Sequence, residues 1–193
     1  MDSGIKETKN HKKQAHKMST RELCFMAMFT ALIAICAQIN IPLPGGVPFT
    51  LQIWAVSLAG LVLGPKNGAL TVLVYVLLGA VGAPVFARFT GGIGTIMRPT
   101  GGFILTFPIV ALIVGLGERK GGLLWVVLSL VIASIVNFGV GLFWFNWVTE
   151  LGLLTSFGYA VAPFLIVEVV RIPVLPFAGR SIKASMRKAR MMV

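Results

Sequence analysis

Glu168 and Arg171 are the one acid and the one base inside the long apolar stretches of this chain, and they stand three residues apart. That spacing puts both side chains on one face of a helix. An ionised group near the centre of a bilayer costs roughly 2.5–3.5 kcal/mol on insertion scales, so such residues usually face a cavity or a partner. A carboxylate accepts hydrogen bonds from ligand N–H groups, and a guanidinium donates a fixed fork to a carbonyl or carboxylate. A polar, ureido-like or carboxylate-bearing molecule suits both. The competing reading is a self-neutralising pair that fixes helix packing.

Other candidates are less specific. Asn137, Trp144, Asn146 and Trp147 cluster in one stretch, where the tryptophans read equally well as a ligand wall or as an interfacial belt. Tyr75 is expected to pack with its hydroxyl paired, and Gln52 to face an external mouth. Catalysis finds little support. Both histidines, His11 and His16, precede the first apolar run, and neither H-E-x-x-H nor G-x-S-x-G occurs. "GPKNGA" and "GERKGG" have the wrong spacing for a phosphate-cradling loop, so a pump would need a separate ATPase. A membrane enzyme is therefore disfavoured.

The elements that must position these residues are membrane helices. Of 193 residues, 56% are hydrophobic and 12% charged, and the mean hydropathy is +0.90. No single soluble core could hide that much apolar surface. Six apolar segments can be drawn, at about Leu23–Ile41, Phe49–Leu63, Ala69–Val85, Gly102–Leu116, Leu123–Val148 and Phe157–Ala178. A straight span needs about 20 residues, so the second and fourth are short and the fifth is long. The expected organisation is a basic, disordered leader over residues 1–20, a six-helix membrane domain over 21–180 and a basic tail over 181–193. The leader is too polar for a cleaved signal peptide.

Charge sets the orientation. Lys6, Lys9, Lys12, Lys13, Lys17 and Arg21 precede the bundle, and Arg180, Lys183, Arg187, Lys188 and Arg190 follow it. With both ends cytoplasmic, the turns at Gly64–Gly68 and Gly117–Gly121 add Lys66, Arg119 and Lys120 inside. Only Arg88 and Arg98 remain outside, which fits the positive-inside rule. The tails serve topology and anionic headgroups, not nucleic acid, because the aromatic residues lie in the spans. Cys24 and Cys36 share the first segment and read as small buried residues, not as a disulfide.

Two outer loops remain. The first is rich in Pro and Gly (Pro42, Pro44, Gly45, Gly46, Pro48). The second, Phe86–Gly101, carries Gly91, Gly92, Gly94, Thr100 and Gly101, and its flexible, sparsely charged backbone suits a close lid over a small ligand. In the first span, Ala27, Ala31 and Ala34 make a small-residue face suited to close helix approach, either inside the bundle or against a partner protein. No internal repeat supports an inverted-repeat transporter.

Three stretches carry a resemblance. "GGVPFTLQ" (Gly45–Gln52), "YVLLGAVGAPVFA" (Tyr75–Ala87) and "GGIGTIMRPTGGF" (Gly91–Phe103) resemble the BioY family, the biotin-binding S components of energy-coupling-factor transporters, over about residues 20–180. The resemblance implies an all-α, six-helix S-component fold in the cell membrane, with an outward-open, loop-covered biotin pocket. It implies that the alanine face of the first helix docks on a transmembrane coupling protein. Two cytoplasmic ATPases would drive that protein, so ATP is used only by partners and the chain itself needs no cofactor. Capture outside, toppling of the whole subunit and release inside would be the mechanism.

The family usually has Asp and Lys, three apart, in the last helix; here "PFLIVEVVR" (Pro163–Arg171) offers Glu168 and Arg171, and Val167 replaces a Gly. Charge and spacing survive while reach and fork geometry change. Either biotin is held with adjusted geometry or a related small cofactor is the ligand. Arg98 also stands where the family commonly has a small residue. On the resemblance, Glu168 accepts from ureido N–H groups, and Arg171 donates to the ureido oxygen or the carboxylate. Gly91, Gly92, Thr100 and Gly101 shape the lid, Trp144 packs on the ring or tail, and Asn137 and Arg88 complete the ligand set.

Overall fold

The structure is a computed structural model describing residues 18–43 and 46–188. The lysines of the leader, both histidines, Pro44, Gly45 and Arg190 lie outside the described residues. The chain builds helices α1 (Thr20–Gln38), α2 (Gln52–Ala80), α3 (Ile93–Ile96), α4 (Gly101–Lys120), α5 (Leu123–Thr149), α6 (Leu153–Ala160) and α7 (Ala162–Lys188). A two-residue ribbon, β1 (Asn40–Ile41) against β2 (Phe49–Thr50), ties the ends of the first outer loop, with Asn40 opposite Thr50. Five helices are long and apolar enough to cross a membrane: α1, α2, α4, α5 and α7.

α1 starts where Ser-Thr-Arg-Glu closes a capping box. The backbone N–H of Arg21 donates to the Ser19 hydroxyl, and that of Ser19 donates to Glu22 at 2.8 Å. Met26, Phe29, Ile33 and Ala37 face inward at helical spacing. Cys24, expected to be buried, is exposed.

α2 is two helical legs joined at Gly64, where the chain reverses; its φ of 80° and ψ of 179° are open essentially to glycine alone. Pro65 follows, and a proline both lacks an N–H and pushes the residue before it out of the helical region. The legs 52–63 and 65–80 therefore run back along each other. A straight helix would hold Gln52 and Tyr75 about 35 Å apart, yet their side chains are hydrogen-bonded at 2.8 Å. The reversal takes a single residue, whereas the sequence suggested a turn spanning Gly64–Gly68. A Gly64→Ala variant is expected to lose about 1–3 kcal/mol of stability, read as a lowered melting temperature in detergent; an unchanged melt would mean that the reversal tolerates a side chain.

α4 lies against both legs, and glycines make the approach possible. A Cβ on Gly115 would sit 2.5 Å from the Pro65 nitrogen, and one on Gly60 would overlap the backbone of Ala111. Around this contact Val56, Val72, Tyr75, Val110, Ala111 and Val114 form the core. Outward-facing residues stay apolar: Phe143, Ile166 and Val169 are each 75% exposed, which suits a lipid surround.

The fourth segment is longer than drawn, because Gly117–Lys120 continue as helix. The sixth is divided. α6 stops at Val161, whose φ of −126° and ψ of −52° are off-helix, and Pro163 then occupies the first turn of α7, where a missing N–H does no harm. α7 runs on to Lys188, ten residues past the expected end of the span.

Candidate functional site

α7 turns one face inward, and Arg171, 1% exposed, is the largest fully buried side chain among the described residues. Its guanidinium staples three elements. Nη1 donates to the Ser57 hydroxyl on the 52–63 leg at 2.8 Å, and Nη2 donates to the Ser134 hydroxyl on α5 at 2.7 Å. Nη2 and Nε both meet Glu168 Oε2, at 2.8 and 3.1 Å. Ser134 also donates to that oxygen at 2.8 Å. Glu168 Oε2 is thus saturated, whereas no hydrogen bond occupies Oε1 within the described residues.

Beside Glu168 opens a concave, mostly apolar cavity with an open mouth. Phe103, Ile104 and Phe107 of α4, Phe138 of α5, and Phe164 and Val167 of α7 make apolar walls, with Ile53 from the 52–63 leg. Glu168, Asn137 and Gln52 supply the deeper polar groups. Gln52 donates its amide N–H to the Tyr75 hydroxyl, which donates to the Val85 carbonyl at 2.9 Å. That leaves the Gln52 carbonyl as an acceptor for the cavity. The Thr106 hydroxyl donates to Asn137 Oδ1 at 2.6 Å, which leaves the Asn137 amide N–H groups as donors. Two acceptors and one donor group therefore share an otherwise apolar chamber. A compact molecule with both N–H and C=O groups on a polar head matches that arrangement.

The sequence-derived candidates separate into two groups. Glu168, Asn137 and Thr100 line the cavity; Arg171, Gly91, Gly92, Gly101, Trp144 and Arg88 are not among its lining residues. Arg171 sits behind Glu168. Trp144 holds a loop, donating its indole N–H to the Arg98 carbonyl at 3.0 Å and standing edge-on to Trp147 at 5.3 Å. Arg88 is exposed, on a left-handed turn with φ of 59°.

The second outer loop differs from the flexible segment expected. It folds into a 3-10 turn at Ala87–Phe89 and the short α3, and it is tied down at both ends. Gln38 of α1 donates to the Phe86 carbonyl at 3.1 Å and accepts from the Phe89 N–H at 2.9 Å. Gly92 N–H donates to the Gly79 carbonyl at 2.7 Å. Gly91 and Gly101 are spacers, since a Cβ on either would overlap the backbone of Ala83 or Ile96. The cavity mouth is formed mostly by the first loop, through Val47, Pro48, Phe49 and Thr50, with only Ala87 and Thr100 from the second.

Sequence reasoning missed Ser57 and Ser134 as the seats of Arg171, the phenylalanine walls, and the first loop as the mouth. A serine in mid-span is a usable signal, and both serines are in mid-span. The phenylalanines carry none, because a lipid-facing ring and a cavity wall look alike in sequence.

On α1, Ala27 and Ala31 are exposed and Ala34 is half-buried. The small-residue face thus lies on the outside of the bundle within this chain.

Comparison with known proteins follows from this geometry. A family model described as the BioY family matches residues 9–188. The "Probable biotin transporter BioY" of Pyrococcus horikoshii is 42% identical over 154 residues, covering 80% of this chain and 91% of its own. The "Biotin transporter BioY" of Thermotoga maritima is 39% identical over 165 residues, covering 84% and 96%. The fold matches a crystal structure described as the S component for biotin from an ECF-type ABC transporter. That match has a TM-score of 0.69 at 26% identity and covers 91% of this chain and 96% of the other.

Proposed function

This chain belongs to the BioY family, and on that premise we propose that it is the biotin-capturing subunit of an importer in the plasma membrane. The observation that carries the reading is the cavity beside Glu168, with a free carboxylate oxygen and the Gln52 carbonyl as acceptors and the Asn137 amide as donor. A ureido ring has two N–H donors and one carbonyl acceptor, so it complements that set. The thiophane ring and the alkyl tail suit the phenylalanine walls. Among the described residues, Glu168 is the one charged side chain lining the cavity. A second carboxylate placed deep would be repelled and desolvated there. Biotin therefore enters ureido first, with its carboxylate at the mouth, and Arg171 acts through Glu168 by fixing the carboxylate.

Six spans with both ends cytoplasmic are the topology we favour. The antiparallel legs of α2 supply the sixth crossing, and the concentration of Lys and Arg at the two ends and inner turns sets the direction. The outward alanines of α1 suit docking on a transmembrane coupling protein. The sequence has no phosphate-cradling loop, so ATP would be consumed by two partner ATPases.

The test is equilibrium binding of labelled biotin to the purified protein in detergent, with biotinamide as competitor. Biotin should bind. Biotinamide, which lacks the charge but keeps the ureido ring, should compete within about tenfold, the equivalent of roughly 1.4 kcal/mol. Loss of competition would place the biotin carboxylate deep and reverse the orientation. No binding of biotin by folded protein would sink the ligand assignment. Glu168 and Arg171 in place of the usual Asp and Lys would then point to another small cofactor, identified with a vitamin panel.

A further inference from the structure

A second groove lies at the opposite end of the bundle, between the last turns of α4 and the first turns of α5. Gly117 lets the two helices close at its floor, because a Cβ there would overlap the Ser129 side chain and lie 2.6 Å from the Trp125 carbonyl. Its walls are the outward-facing Leu116, Leu128 and Ile132, between 41% and 51% exposed. Its end carries Arg119 and Lys120, both exposed. The neighbouring acid, Glu118, is turned away and paired with Lys183 at 3.0 Å. Lys120 lies over the Trp125 ring, 4.1 Å from its centroid, which places an aromatic ring and a cation together at the level of a bilayer interface.

The groove is apolar along its length and cationic at one end, and no acid within it offsets Arg119 and Lys120. From the first turn of α5 to Ile132 it runs about 14 Å, enough for the upper part of an acyl chain. We propose that this groove is a binding site for an anionic phospholipid, with the phosphate at Arg119 and Lys120, the glycerol beside Trp125 and one acyl chain along Leu116, Leu128 and Ile132. Basic pockets between membrane helices select lipids by headgroup charge. A zwitterionic lipid of the same chain length would lose that contribution.

The test is native mass spectrometry of the full chain with phosphatidylglycerol or phosphatidylcholine of identical acyl chains. Phosphatidylglycerol should be retained and phosphatidylcholine released. The double variant Arg119→Gln/Lys120→Gln should retain phosphatidylglycerol about thirtyfold less. Lys66→Gln/Arg180→Gln removes the same charge from exposed positions elsewhere and should retain it like the parent. Melting temperature reports that both variants are folded. Equal retention of the two lipids, or equal loss in both double variants, would overturn a specific site in favour of diffuse charge attraction.

Discussion

The double variant Glu168→Gln/Arg171→Met should melt close to the parent protein, while each single variant loses about 3–5 kcal/mol of stability. The asymmetry follows from what each change leaves behind. Removing the glutamate charge strands a guanidinium that is 1% exposed. Removing the arginine strands a carboxylate whose Oε2 took two of its hydrogen bonds from it. Removing both leaves no buried charge. The serines that seat Arg171 do not become orphans: Ser57 donates to the Ile53 carbonyl at 2.9 Å, and Ser134, its one proton freed from the carboxylate, can turn to the Leu130 carbonyl at the same distance. The new amide can donate to the Ser134 oxygen that Arg171 vacates. Thermal unfolding of all four proteins in one detergent gives the cycle, and additive losses in the double variant would show that the two residues do not act as a pair.

Biotin affinity in that same double variant should nevertheless fall about 10- to 100-fold, the loss expected when hydrogen bonds to a charged acceptor become bonds to a neutral one. Stability and binding are thereby separated within one protein, which neither single variant can do. The reasoning rests on Oε1 of Glu168, the carboxylate oxygen left for the cavity once Arg171 and Ser134 have engaged Oε2. Titration with labelled biotin checks it. Parent-like affinity in the well-folded double variant would remove Glu168 from the ligand contacts and leave the pair a purely structural device.

Of the two readings of Glu168 and Arg171 weighed from the sequence, the structure shows the buried pair directly, and it leaves Oε1 of Glu168 without a partner beside the cavity. Spacing of three put the side chains on one face, and apolar surroundings marked them as costly, so the pair was legible. What spacing could not convey is depth. Arg171 is long enough to reach Ser57 and Ser134 across the bundle, and that reach carries it behind the cavity wall. Segment five was drawn to within a residue of α5 because its apolar run ends at Gly122 on one side and Glu150 on the other. Segment six was drawn as one, because a single off-helix residue at Val161 leaves no mark in an apolar run. The second outer loop was misjudged for a related reason. Its glycines read as freedom, but Gly91 and Gly101 are there to let backbones touch, and the polar side chain that secures the loop, Gln38, lies some fifty residues earlier.

The reversal at Gly64 reaches beyond the fold. Legs of 12 and 16 residues rise only about 18 and 24 Å, short of the roughly 30 Å hydrocarbon thickness of an ordinary bilayer. Where each leg crosses, such a hydrophobic mismatch is met by local thinning or by snorkelling of flanking side chains, at a fraction of a kcal/mol for each ångström. The glycine that folds the hairpin therefore also sets how far the surrounding lipid has to adapt to the protein.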